Sequence, residues 1–287
     1  MRLNDFLFLI KGSTGISLKN EVLLYQLVER FSESELDGLD GQEIANLLKL
    51  TPKMTAQFIP SFTKLQNQFI PELTDHWLAI NDPCYPEPLR EAYLPPIGLF
   101  YRGNLQLLQT KMLGVVGSRV PTDYSRTVLK QIIPELVCQK LTLVSGLAKG
   151  VDTITHRLTV ANGGNTIAVI GTGLAQYYPS ENRSMQDYIG SNHLLLSEYL
   201  SNVGPRRHHF PERNRIIAGL CQGVLVSEAK NHSGSLITAN LALQNNREVF
   251  AIPGPINSPL SVGTNELILA GAKPVLQSNH IIEELLY

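Results

Sequence analysis

The chain has 287 residues, 43% hydrophobic and 17% charged, with a formal net charge of −1. That is enough apolar material for one large or two ordinary domains, and it excludes a disordered chain and a strongly basic coat protein. The charge is uneven: residues 1–75 carry net −3 and the remainder net +2, so a grip on a polyanion is expected in the later part.

The first apolar run, near the N-terminus, is short, contains Asp5 and lacks a small-residue cleavage site, so no signal peptide is expected. No run approaches the ~20 apolar residues that span a membrane. Cys84, Cys138 and Cys221 share no metal-ligand spacing and cannot all pair, which suits a reducing, cytoplasmic setting. Up to about residue 70 the pattern is of short helices, with apolar residues at helical spacing over 21–30 and 44–50. The turn Leu36-Asp37-Gly38-Leu39-Asp40-Gly41 faintly resembles that of helix-hairpin-helix or sterile-alpha-motif units, although an accessory helical bundle with an ordinary loop accounts for it better. Five prolines, Pro83, Pro86, Pro88, Pro95 and Pro96, then mark an extended segment, and Leu99-Phe100-Tyr101 reads as a strand.

From residue 111 apolar runs alternate with helical patterns. Strands are expected at 112–116, 141–144, 166–170, 194–197, 224–227, 248–252 and 274–276, and helices at 123–138, 152–161, 184–189, 212–219, 235–244 and 265–270. Such alternation predicts parallel βαβ units, hence an α/β fold with a mostly parallel sheet. Pro134 is expected to kink or end the first of these helices. The organisation is read as a helical domain at 1–75 followed by the α/β domain at 76–287.

Small glycine-bearing or basic loops follow several of the strands: Gly117-Ser118-Arg119, Ser145-Gly146-Leu147-Ala148-Lys149-Gly150, Gly171-Thr172-Gly173 and Ser233-Gly234-Ser235. In a parallel sheet such loops collect at one edge, the edge that binds ligands. Glycine lets backbone N–H groups approach an anion, helix N-termini add partial positive charge, and Arg and Lys add full charges. A phosphate-bearing ligand follows. The stretch Arg206-Arg207-His208-His209-Phe210-Pro211-Glu212-Arg213-Asn214-Arg215 is the most basic of the chain.

A dinucleotide fits poorly. Gly114-Val115-Val116-Gly117-Ser118-Arg119 lacks the third glycine of the Rossmann turn, and the second strand leads to Lys149 where a ribose-binding carboxylate belongs. No Walker run is present. His208 and His209 are adjacent and cannot share a metal on a regular element, so no metal or other cofactor is expected. Ser233 or Ser235 with His232 and Asp152 would make a hydrolase on paper, but no nucleophile elbow exists. A nucleic-acid strand offers successive phosphates to several loops and bases to Phe210, though Phe210 before Pro211 is equally suited to a core position. Arg213 or Arg215 is also a candidate for a buried ion pair with Glu198 or Glu228.

The runs Gly117-Ser118-Arg119, Ser145 to Asp152, Phe210-Pro211-Glu212-Arg213-Asn214-Arg215-Ile216-Ile217-Ala218-Gly219-Leu220, Ser227-Glu228-Ala229 with Ser233 to Ala239, Phe250-Ala251-Ile252-Pro253-Gly254 and Gly271-Ala272-Lys273 together resemble the DprA (Smf) family. The resemblance spans about residues 78–287, and the N-terminal helices fit that family's sterile-alpha-like domain loosely. It implies an extended Rossmann-like fold in a short form without a C-terminal winged helix. It also implies single-stranded DNA as ligand, a homodimer, and help to RecA in displacing single-strand-binding protein from incoming DNA in natural transformation. No catalysed reaction is implied. Phosphate contacts would come from Ser118, Arg119, Ser145, Gly146, Lys149, Arg213, Asn214, Ser233, Gly234 and Ser235, with Phe210 as a stacking face. The rival from another class is a Rossmann-like nucleoside-monophosphate phosphoribohydrolase, whose Pro-Gly-Gly-x-Gly-Thr-x-x-Glu run is broken here into Pro253-Gly254-Pro255 and a separate Gly263-Thr264-Asn265-Glu266.

Overall fold

The computed structural model describes residues 1–74 and 76–286. Five helices come first: α1 (Leu3–Gly12), α2 (Leu18–Val28), α3 (Glu33–Asp37), α4 (Gly41–Leu47) and α5 (Pro52–Asn67). There follow β1 (Trp77–Ala79), α6 (Glu87–Arg90), β2 (Gly98–Gly103), β3 (Met112–Val116), α7 (Asp123–Cys138), β4 (Thr142–Ser145), α8 (Val151–Ala161) and β5 (Thr166–Ile170). The chain continues through α9 (Arg183–Asn192), β6 (Leu194–Ser197), α10 (His209–Leu220), β7 (Gly223–Val226), α11 (Gly234–Gln244), β8 (Glu248–Ala251), α12 (Val262–Leu269), β9 (Lys273–Pro274) and α13 (Asn279–Leu286).

The strands form one sheet in the order β1-β2-β6-β5-β4-β3-β7-β8-β9. The six strands from β6 across to β8 are all parallel, as the alternation of strand and helix requires, and β1 and β2 add an antiparallel margin. A buried parallel strand must be apolar on both sides, and successive side chains serve opposite layers. Leu113, Val115 and Leu143 meet α7, α8 and α13 on one face. Val144, Ile167 and Val169 meet α10 on the other, where Val224 and Val226 pack against Ala239 and Ala242 of α11.

Helix α7 runs through Pro134 to Cys138, so the proline does not end it. The missing N–H is tolerated because Leu129, Ile132, Ile133 and Leu136 anchor both sides of it in the sheet's core.

The N-terminal helices share a core with the sheet. In α1, Phe6 to Ile10 are all buried, the mark of a helix enclosed on every side. The ring of Phe8 packs edge-on against Trp77 of β1 and Phe100 of β2, with centroids 5.8 and 5.9 Å away. The expected boundary after residue 75 falls on a residue outside those described. Beside this aromatic contact a group of charges is enclosed. Lys11 Nζ donates to Glu21 and to Glu198, each at 2.8 Å, and Arg215 of α10 makes two hydrogen bonds of 2.7 Å to the Glu198 carboxylate. Burial alone would raise the Glu198 carboxyl pKa, but Arg215 and Lys11 outweigh it and hold it at about 2. Of the ion pairs anticipated for the basic stretch, Arg215 with Glu198 is the one that forms.

Candidate functional site

The chain proceeds from β3 outward through β4, β5 and β6, then crosses back to place β7 on the other side of β3. This reversal makes a switch point, and the loops after β3, β4, β5 and β7 gather at the carboxyl edge of the sheet around it.

Hydrogen bonds tie these loops to one another. The Ser145 hydroxyl donates to Val115 O at 2.7 Å, the Ser235 hydroxyl to Gly117 O at 2.9 Å, and the Asn214 amide to Gly234 O at 3.2 Å. The Ser118 hydroxyl accepts from Val120 N at 3.1 Å, and Val151 N donates to Ser118 O at 3.1 Å. The hydroxyls of Ser118, Ser145 and Ser235 thus rigidify the platform. The buried Ser233 hydroxyl, at the N-terminus of α11, has no partner among the described residues.

Under the platform lies Arg213, only 4% exposed, donating to Val169 O at 2.5 Å and to its neighbour Asn214 at 3.1 Å. Its guanidinium lies against Gly146 so closely that a Cβ there would stand 1.8 Å from Nη1, which explains the glycine. Burial lowers the Arg213 pKa, and Asp152, itself raised by burial, opposes that shift. Since arginine keeps its proton, Arg213 is a fixed cation beneath the loop, and its Nε and Nη1 donors serve protein groups.

Arg119 and Lys149 are the exposed cations among the expected residues. The Arg119 guanidinium stands 5.7 Å from the centre of the partly exposed Phe210 ring, and the ring of Tyr178, 43% exposed, lies 5.3 Å from Phe210, tilted by 45°. Lys149 pairs at 2.5 Å with Glu181, both well exposed, and the lysine holds the Glu181 carboxyl below its ordinary pKa. All ten residues expected to hold phosphate, together with Phe210, therefore belong to one neighbourhood. Their roles divide into exposed charge, backbone platform and buried support.

Three contributors are absent from the sequence reading, and a fourth, Glu228, entered it only as an ion-pair candidate and as part of the Ser227-Glu228-Ala229 run. Tyr178 extends the aromatic surface. Arg126 of α7 and Arg157 of α8 join Arg119 and Lys149 along a groove of about 250 Å³. Glu228, 2% exposed, occupies the switch-point crevice, where it accepts from Thr122 N at 2.9 Å and from the Thr122 hydroxyl. A carboxylate in that crevice disfavours a dinucleotide, whose pyrophosphate belongs there.

Other chemistries find little support in this geometry. The Ser235 hydroxyl serves a backbone carbonyl, Asp152 accepts from Ala148 N at 3.3 Å, and no hydrogen bond joins either to His232 among the described residues. His209 is buried, stacked at 3.9 Å on Tyr199, and burial lowers its pKa. Asn265 exchanges hydrogen bonds with the backbone of Gly254 at 3.0 and 3.2 Å, while the carboxylate of the broken motif, Glu266, is exposed on α12. Among the described residues no group of three or more His, Cys, Asp or Glu is placed to hold a metal, and no helix is long and apolar enough to cross a membrane.

Comparison with known proteins agrees with this architecture. Residues 76–286 match the family model described as DNA recombination-mediator protein A. The DNA processing protein DprA of Streptococcus pneumoniae is 51% identical over 206 residues, covering 72% of this chain and 73% of its own length. The X-ray structure of DprA from S. pneumoniae superimposes with a TM-score of 0.90 at 40% identity, over the whole of both chains. DprA from Helicobacter pylori, solved to describe its single-stranded DNA binding mode, aligns with a TM-score of 0.66 at 31% identity, over 73% of this chain and 95% of that one.

Proposed function

The chain belongs to the DNA recombination-mediator protein A family, and on that premise we propose that it binds single-stranded DNA regardless of sequence. In this reading it helps RecA replace single-strand-binding protein on DNA arriving by natural transformation. It acts in the cytoplasm as a homodimer, catalyses no reaction and needs no cofactor. Its α/β domain, 76–287, carries the DNA, and the helical domain, 1–75, supports it.

One observation carries the reading: a loop platform cross-tied by its own hydrogen bonds leaves Arg119 and Lys149 exposed beside the rings of Phe210 and Tyr178. A platform held in advance loses little freedom when it orders a flexible strand. Charged contacts to phosphates are indifferent to base identity. Stacking on Phe210 and Tyr178 adds ~1–3 kcal/mol per base and is equally tolerant, because every base has a flat face. A duplex keeps its bases stacked within itself and forgoes that term. The homodimer is supported by exposed apolar side chains toward the β8–β9 side of the sheet, with Leu243 50%, Leu269 89% and Leu276 74% exposed.

Fluorescence anisotropy of labelled oligo-dT and of a matching duplex, titrated at several salt concentrations, tests the reading. The single strand should bind preferentially, and log affinity should fall against log salt with a slope of about −3 if four phosphates are neutralised. Equal binding to duplex, or no polynucleotide binding at low salt, would refute it.

A further inference from the structure

The groove between α7 and α8 is richer in charge than the loop platform needs. Arg119 and Lys149 stand in it, and Arg126 and Arg157 line it farther along the two helices. Opposing charge is sparse. Glu181 pairs with Lys149. Asp123 lies 3.9 Å from Arg126, but its side chain is fully exposed and the arginine's is 48% exposed, a contact that solvent screens. Arg157, exposed on α8, has no acidic partner among the described residues. Val120, 79% exposed, and Ile154 add apolar surface to the same groove.

We propose that the groove is a second phosphate-binding track, into which a nucleic-acid strand continues from the loop platform, its backbone following Arg126 and Arg157. The inference rests on the single-strand reading above and extends it to the strand's path. Continuity is what favours a polymer: Arg119 and Lys149 belong to both the platform and the groove, so an anion held at the loops has its next charges directed toward Arg126 and Arg157. A mononucleotide reaches only part of this row. Arg157 lies six residues beyond Val151, where α8 begins just after Lys149, about 9 Å along the helix, so the groove presents charge in steps and not at a point. Val120 supplies an apolar contact for sugars or base edges that leave the platform.

The experiment compares a six-nucleotide with a twenty-nucleotide oligo-dT by fluorescence anisotropy, using the full chain and an Arg126→Glu/Arg157→Glu double variant. The longer strand should lose at least about tenfold in affinity and the shorter about threefold or less, and the salt slope of the longer should become shallower by about 1.4, or 0.7 for each of two lost contacts. Lys149→Glu, placed where the platform and the groove meet, should weaken both lengths. The Arg126→Gln/Arg157→Gln variant, checked for an unchanged thermal melt, must reproduce the length dependence, which separates the effect from misfolding. An equal loss at both lengths, or none with the longer strand, overturns the track while the platform reading stands. Displacement of the long strand by polyglutamate as effectively as by unlabelled oligo-dT assigns the groove to acidic peptide and also overturns it. Failure of the unaltered protein to bind either oligonucleotide removes the single-strand reading itself.

Discussion

Two groups of charges occupy this molecule, one sealed and one open. Between the N-terminal helices and the sheet, Lys11, Glu21, Glu198 and Arg215 balance to neutrality with every side chain less than a tenth exposed. Along α7 and α8, Arg119, Arg126, Lys149 and Arg157 face solvent with Glu181 as their nearest counterweight. Burying an uncompensated charge costs several kcal/mol, so the sealed group has to be complete within the protein and has nothing left for a ligand. The open group pays no such penalty and retains its attraction for a passing anion. Arg213 and Arg215 bring the contrast into a single helix. Two residues are about 200° apart around an α-helix, so the two side chains leave in opposite directions, one beneath the loop platform and one into the sealed group.

The comparison breaks most visibly at Glu198. Glu198→Ala leaves Arg215 enclosed without its carboxylate and Lys11 with Glu21 alone, and should cost about 3–5 kcal/mol in a urea unfolding experiment. A loss below about 1 kcal/mol would mean that the sealed group is not sealed in solution. His156 probes the interior differently. It is fully buried, its Nδ1 lies 2.7 Å from the Thr166 hydroxyl, and that hydroxyl already donates to Leu143 O at 2.8 Å, so the imidazole is the donor. Burial, with smaller contributions from Arg213 and His193, lowers its pKa from 6.5 to about 3. The unfolded chain takes up a proton near pH 6.5 that the folded chain refuses until about pH 3. Stability should therefore decline as pH falls through that window, by at most about 1.4 kcal/mol per unit from this residue. Unfolding free energies measured from pH 7 to pH 5 should show the decline, and His156→Gln should flatten it. The smallest effect is expected on the open side: Glu181→Gln frees Lys149 and removes a repulsive carboxylate, so oligo-dT should bind about two- to fivefold more tightly at low salt, with the gain erased at high salt. Weaker binding by that variant would show that the ion pair positions Lys149 for its ligand.

Much of the sheet was legible because buried parallel strands are short apolar runs between turn residues. The spans of β3, β5, β6 and α7 agree with the expected ones residue for residue. Strand β1 was missed because three residues of an antiparallel margin leave no periodic signal. Helix α1 was not resolved because a helix buried on all sides has no polar face to reveal its period. Helix α10 begins at His209, before the expected residue 212, since Pro211 is compatible with a helix's first turn. In the site, the glycine and hydroxyl loops were legible as a cluster, because glycine beside Ser or Thr after a strand has a conformational reason. Which hydroxyls face a ligand was not, since Ser145 and Ser235 spend theirs on neighbouring loops. Arg126 and Arg157 were invisible for a simpler reason: an arginine on a helix surface differs from any solvated arginine only by what the fold places beside it.

The seam beneath α1 gives the first seventy residues a different standing from that of a tethered module. A module on a tether leaves a finished surface behind when it departs. Here departure would uncover the rings of Trp77 and Phe100 and deprive Glu198 of its lysine. A protease that severed the backbone between the helices and the sheet would accordingly leave two fragments still clasped as one particle, because the joint between them is a packed face and the peptide link is secondary to it.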